Sequence, residues 1–144
     1  MLWAKQKAWL SSSLSFGSGK TATKVNRAEH LEKQGRLIRL PEIFECSHLI
    51  NWVAEMGLYA HGMNGPVTLS HTEIDAWVRL SDIQIRPEEV AILRRISNTF
   101  CSFYHTCDND TPEPMGDDLT PEEVKQQQAA MRKARRMRVN NKSP

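Results

Sequence analysis

The sequence predicts a mainly α protein: a small bundle of three to four helices with a flexible basic N-terminal arm and an exposed C-terminal helix. Three observations predict it. Apolar residues crowd between positions 37 and 104 and recur there at three- and four-residue spacing. Two helix-start signals, at Ser70 and at Pro87, stand close together. Strand-like runs are confined to residues 66–69 and 83–85, too short to build a sheet.

The 144 residues divide into a Ser/Gly-rich basic arm (1–25), a helical core domain (26–106), an acidic Pro-rich linker (107–119) and a basic C-terminal helix and tail (120–144). At Asn26 the side chain can cap a short helix carrying Ala28 and Leu31, and Gly35 stops it. After Pro41 the chain is expected to run extended to Ser47. A helix then places Leu49, Ile50, Val53 and Met56 on one face, with Trp52 and Tyr59 adjoining. Gly62 and Asn64-Gly65-Pro66 break the chain. Ser70 and Glu73 form a capping box for a helix over residues 71–80 that buries Ile74, Trp77 and Val78. Ile83 and Ile85 in the connector are expected to fold back onto the core. Pro87 with Glu88 and Glu89 opens a helix over 87–104, with Val90, Leu93, Ile96, Phe100 and Phe103 on its apolar stripe. Thr120-Pro121-Glu122-Glu123 opens a last helix over 121–138 that is polar nearly all round, with Val124, Met131 and Met137 as exceptions.

Charge is segregated although the net is only +2. Residues 1–39 carry eight Lys or Arg against two Glu, residues 40–110 four against ten acids, and residues 124–144 seven with no acid. An acidic body with basic ends could touch nucleic acid, an anionic surface or its own body; solvated ends that aid solubility are the plain reading. The apolar core spans only some seventy residues, a size at which docking on a partner or self-association is expected to add stability. The odd cysteine count (Cys46, Cys101, Cys107) without a CxxC predicts reduced thiols in a cytosolic compartment. No stretch approaches the roughly 20 apolar residues of a membrane span, and no membrane association is expected.

Chemistry-bearing patterns are sparse. Gly17-Ser18-Gly19-Lys20-Thr21 ends like a phosphate loop, but Leu14 stands where the motif needs its first glycine, and serines replace the buried strand. Cys101, His105 and Cys107 are close in sequence, yet their spacing matches no zinc pattern, so no metal or cofactor is expected. Capping accounts for Ser70, Glu73, Glu88 and Glu89, leaving no nucleophile beside a base and no catalytic residues to nominate. Helices 71–80 and 87–104 invite a helix-turn-helix reading. Their connector is long, and the second helix opens on two glutamates that repel phosphate, with Arg94 and Arg95 its only Lys or Arg. Trp52, Tyr59, Trp77, Phe100, Phe103 and Tyr104 exceed what so small a core buries, so some are expected at the surface as partner contacts.

The run Leu49-Ile50-Asn51-Trp52-Val53-Ala54-Glu55-Met56, the break ending Gly65-Pro66, Thr72-Glu73-Ile74-Asp75-Ala76-Trp77-Val78-Arg79-Leu80, and Pro87-Glu88-Glu89-Val90 with Leu93 and Phe100 resembles the tail assembly chaperones and small tail-region proteins of tailed bacteriophages and prophages. The resemblance covers roughly residues 29–104. It implies a non-enzymatic protein of the host cytoplasm that binds the long helical tape measure protein and keeps it soluble until tail-tube subunits polymerise around it. The contact residues it suggests are Trp52, Tyr59, Trp77 and Tyr104, with Arg132, Arg135 and Arg136 on acidic stretches; core packing competes for Trp52 and Trp77. A small nucleic-acid-binding or regulatory protein using its basic ends is the alternative.

Overall fold

Helix α5 (Pro87–Thr106) is the axis of the structure, a computed structural model that describes residues 1–17, 22–116 and 118–140. Around it the chain runs α1 (Leu2–Ser11), β1 (Ser13–Phe16), β2 (Thr23–Asn26), α2 (Arg27–Gln34), α3 (Ser47–Met56), β3 (Ala60–Gly62), β4 (Gly65–Val67), α4 (His71–Ser81) and, after α5, α6 (Pro121–Asn140). The protein is mainly α, with six helices among the described residues, of which α6 is the expected C-terminal helix and α1 stands where a flexible arm was expected. The two small sheets are antiparallel hairpins, β1 with β2 and β3 with β4.

The main core forms because α5 presents Leu93, Ile96, Phe100 and Cys101 to three neighbours at once. Leu49 and Val53 come from α3, Leu69 and Ile74 from the entry to α4 and α4 itself, and Ala4 and Ala8 from α1. The two alanines are completely or almost completely buried; their small side chains let α1 lie close along α5. A second, smaller core joins Trp9 and Leu10 of α1 to Leu31 of α2. The capping predictions at Asn26, Ser70 and Gly35 are matched by the geometry: the Asn26 carboxamide accepts from the Ala28 amide at 2.9 Å, and Ser70 and Glu73 exchange both capping bonds. Gly35 ends α2 in the left-handed conformation at φ 76°.

The N-terminal segment departs from the expected flexible arm. Residues 2–11 are a helix in the core, and the Ser-rich run enters a hairpin with Ser13 opposite Asn26 and Phe16 opposite Thr23. Lys5, Gln6 and Lys7 interrupt the apolar residues of α1, so no stripe shows in the sequence, yet Gln6 is itself fully buried. Residues 18–21 of the phosphate-loop-like run lie outside the described residues. The break at Gly62 and Asn64-Gly65-Pro66 is also ordered, as the β3–β4 hairpin with His61 opposite Pro66. Ile83 and Ile85 lie in an irregular connector, from which Ile85 packs against the main core as expected.

The expected linker is a fastened strap. Gln6 Nε2 donates to Glu113 Oε1 at 2.8 Å and to Arg39 O at 3.1 Å, and Gln6 Oε1 accepts from the Met115 amide. Trp9 Nε1 donates to Thr111 O, Arg27 donates to Thr111 O and Asp108 O, and Arg39 donates to Gly116 O and Asp118 O. Buried Arg39 also pairs with Glu113 at 3.2 Å. The strap makes few backbone bonds of its own, such as the Gly116 amide to Glu113 O at 2.9 Å, and these side chains satisfy further carbonyls that a free linker would leave to water.

Candidate interaction surface

The four aromatic residues singled out by the sequence fall into two pairs. Trp52 on α3 and Trp77 on α4 meet with ring centroids 6.1 Å apart, and His48 packs edge-on against Trp52 at 4.9 Å. Both indoles are half-buried, so each has an open edge. Tyr59, just before β3, stacks at 5.3 Å on the buried Phe100 ring, which stacks in turn on half-buried Tyr104 at 6.0 Å. Tyr59 keeps 36% of its surface in solvent. Two rigid aromatic patches are thus held against a packed core, an arrangement that presents apolar area at little entropic cost.

Polar groups around them are tied down. Ionised Glu89 accepts from the Arg86 guanidinium and the Arg86 amide, both at 2.9 Å, and lies 3.0 Å from His48 Nε2. The Arg86 hydrogen bonds, side chain first and amide second, pull the Glu89 carboxyl down to about 2 from its ordinary 4.5. Through His48 this links the N-terminus of α5 to the Trp52 pair. Hydrogen bonds from Ser70 likewise lower Glu73. His105 Nε2 donates to Pro66 O at 2.9 Å and so clips the β3–β4 hairpin to α5.

Arg132, Arg135 and Arg136 share one face of α6 with Val139 and line a broad open cleft there. The opposite face docks on the end of α2: Gln127 donates to Gly35 O and accepts from the Leu37 amide, while Met131 and Ala134 close over Gly35. The arginines therefore stand on a helix that carries neither aromatic pair.

The other sequence candidates take structural places. Burial pushes the thiols of Cys101 and Cys107 up, and His105 is engaged with Pro66. Among the described residues no group of three His, Cys, Asp or Glu is arranged to hold a metal ion. Arg94 and Arg95 line an open groove with His71 and Asn98, and Arg94 Nε donates to Leu69 O at 3.3 Å. Among the described residues no helix is long and apolar enough to cross a membrane.

The sequence did not point to two features. The strap-holding Gln6, Arg27 and Arg39 look like ordinary surface residues until the segment 107–118 is laid over them. A cleft beside Trp3, Leu49 and Ile92 was hidden because Ile92 lies off the apolar stripe of α5; an isoleucine off that stripe was the available signal. No protein-family model, curated protein or solved structure matches the chain.

Proposed function

We propose that the chain is a non-enzymatic tail assembly chaperone of the tailed-phage type, acting in the host cytoplasm by holding the tape measure protein in soluble form. The observation that carries this reading is the pair of core-anchored aromatic patches, Trp52 with Trp77 and Tyr59 with Tyr104, on an otherwise acidic body. They lie within the residues whose pattern resembles that family. A long helix with apolar seams aggregates when bare, and patches of this kind cover such a seam reversibly. The arginine face of α6 adds a contact for acidic stretches.

Co-expression with the tape measure protein of the same genome tests it. The two are expected to copurify in high salt, with the tape measure soluble only in company. Absence of copurification sinks the reading. The second reading, a nucleic-acid-binding protein, draws on the Arg132, Arg135 and Arg136 face; it requires affinity that falls steeply with salt as counterions are released.

A further inference from the structure

A separate surface lies on the side of α5 where the first turn of α1 meets α3. Trp3, Ile43, Leu49, Ile50, Ile92 and Ile96 line a cleft of about 180 Å3 there. Small-molecule sites usually run to about 300–1,000 Å3, so this volume suits an inserted aliphatic side chain better than a free ligand. Phe44, next to Ile43 and Glu45 in the chain, is 85% exposed, and Leu2, next to Trp3, is 46% exposed.

Charge identifies the occupant. Glu45 is the charged side chain of the lining, exposed Glu42 stands next to Ile43 in the chain, and exposed Glu88 lies one helical turn before Ile92 on the same side of α5. Met1 also lines the cleft; Arg95, one turn after Ile92, lines the separate groove with His71 and Asn98, so that no Lys or Arg side chain lines this one. An apolar slot with carboxylates at its rim is complementary to an amphipathic helix whose aliphatic seam is flanked by Lys and Arg.

We propose that this cleft is a docking site for a helix of that kind, which inserts an aliphatic side chain between Trp3 and Ile92 while its flanking cations meet Glu45, Glu42 and Glu88. The natural partner's identity as the tape measure rests on the chaperone reading; the chemistry of the site does not. Two aromatic patches and this cleft then give the body separate points of contact for a long helix.

The test uses the full chain with isoleucine methyl groups labelled, titrated with two synthetic helical peptides that share a leucine seam, one flanked by lysines and one by glutamates. The lysine-flanked peptide is expected to shift the methyl signals of Ile43, Ile50, Ile92 and Ile96 and to leave Ile74 and Ile85 in place. The glutamate-flanked peptide is expected to bind about tenfold more weakly or worse. Ile92→Lys, at a part-exposed position, should abolish the shifts, and Glu45→Lys should reverse the peptide preference. Unmoved cleft methyls, or equal affinity for the two peptides, overturn the proposal. So does a concentration-dependent rise in mass by light scattering that Ile92→Lys removes, since it would seat a second copy there. A tape measure that still copurifies with the Ile92→Lys protein as with wild type removes the cleft and leaves the chaperone reading; peptide binding without tape measure association does the converse.

Discussion

At the scale of single residues, the sharpest consequences come from side chains with one job each. Ser97 is fully buried on α5, and its hydroxyl accepts from the Leu69 amide at 2.9 Å. Ser97→Ala strands that amide in the core, so a loss of about 1–3 kcal/mol in urea unfolding is expected. An unchanged midpoint would mean that the amide finds another partner. Glu89 gives a pH signature. Because its folded value of about 2 lies below its ordinary 4.5, it adds stability that is fully present above about pH 4.5 and is lost as pH falls toward 2. Glu89→Gln should flatten the acid limb of a stability-against-pH curve in that window; an unaltered limb would assign acid sensitivity to other carboxylates. Gly35 combines a left-handed φ of 76° with a Cβ position only 2.8 Å from Met131 Cα. Gly35→Ala therefore meets both backbone strain, about 1–2 kcal/mol, and the backbone of α6, and faster amide exchange in α6 is the expected readout.

At the scale of elements, legibility followed whether the controlling forces were local. The ends of α2, α4 and α5 could be read because Asn26, Gly35, Ser70 with Glu73, and Pro87 act within a few residues of themselves. The stripe Leu93, Ile96, Phe100 was equally plain. Helix α1 was not, since its alanines are buried by α5, almost ninety residues away in sequence, and its fully buried polar residue, Gln6, answers a strap more than a hundred residues on. For the same reason the strap passed as a linker: proline and acid content describe its composition, not its partners. The candidate surface was legible in residue identity and not in grouping, because the stacking of Tyr59 and Tyr104 about Phe100 depends on the β3–β4 hairpin. The strap makes a prediction of its own. Arg39 and Glu113 are a buried ion pair with half-exposed Arg36 a third member at 3.8 Å, so Arg39→Met leaves the carboxylate to Arg36 and Gln6 alone and is expected to cost about 1–3 kcal/mol, with faster exchange at the Met115 and Gly116 amides. Arg39→Met with Glu113→Leu should recover much of that loss, and failure to recover would show that the carbonyl contacts of Arg39, rather than its charge pairing, hold the strap.

At the scale of the whole molecule, the parts differ in how firmly they are held. Helices α1, α3, α4 and α5 share one core, whereas α6 leans on the end of α2 through Gln127, Met131 and Ala134 and exposes Val124, Met131, Met137 and Val139. Local opening is cheapest where few apolar contacts must be broken, so α6 should open well before the body unfolds. Its exposed face is also rich in arginine, which makes limited trypsin digestion a direct test. The first cuts are expected at Arg132, Arg135 or Arg136, leaving a body that retains its melting transition, while Arg94 and Arg95 on α5 stay protected until global unfolding. Early cleavage at Arg94 or Arg95 would show α5 to be the weaker element. If instead a bound partner suppresses the α6 cuts, then α6 is ordered by that partner, and comparing protection in low and high salt separates a counterion-releasing polyanion from an acidic helix that also covers Met137 and Val139.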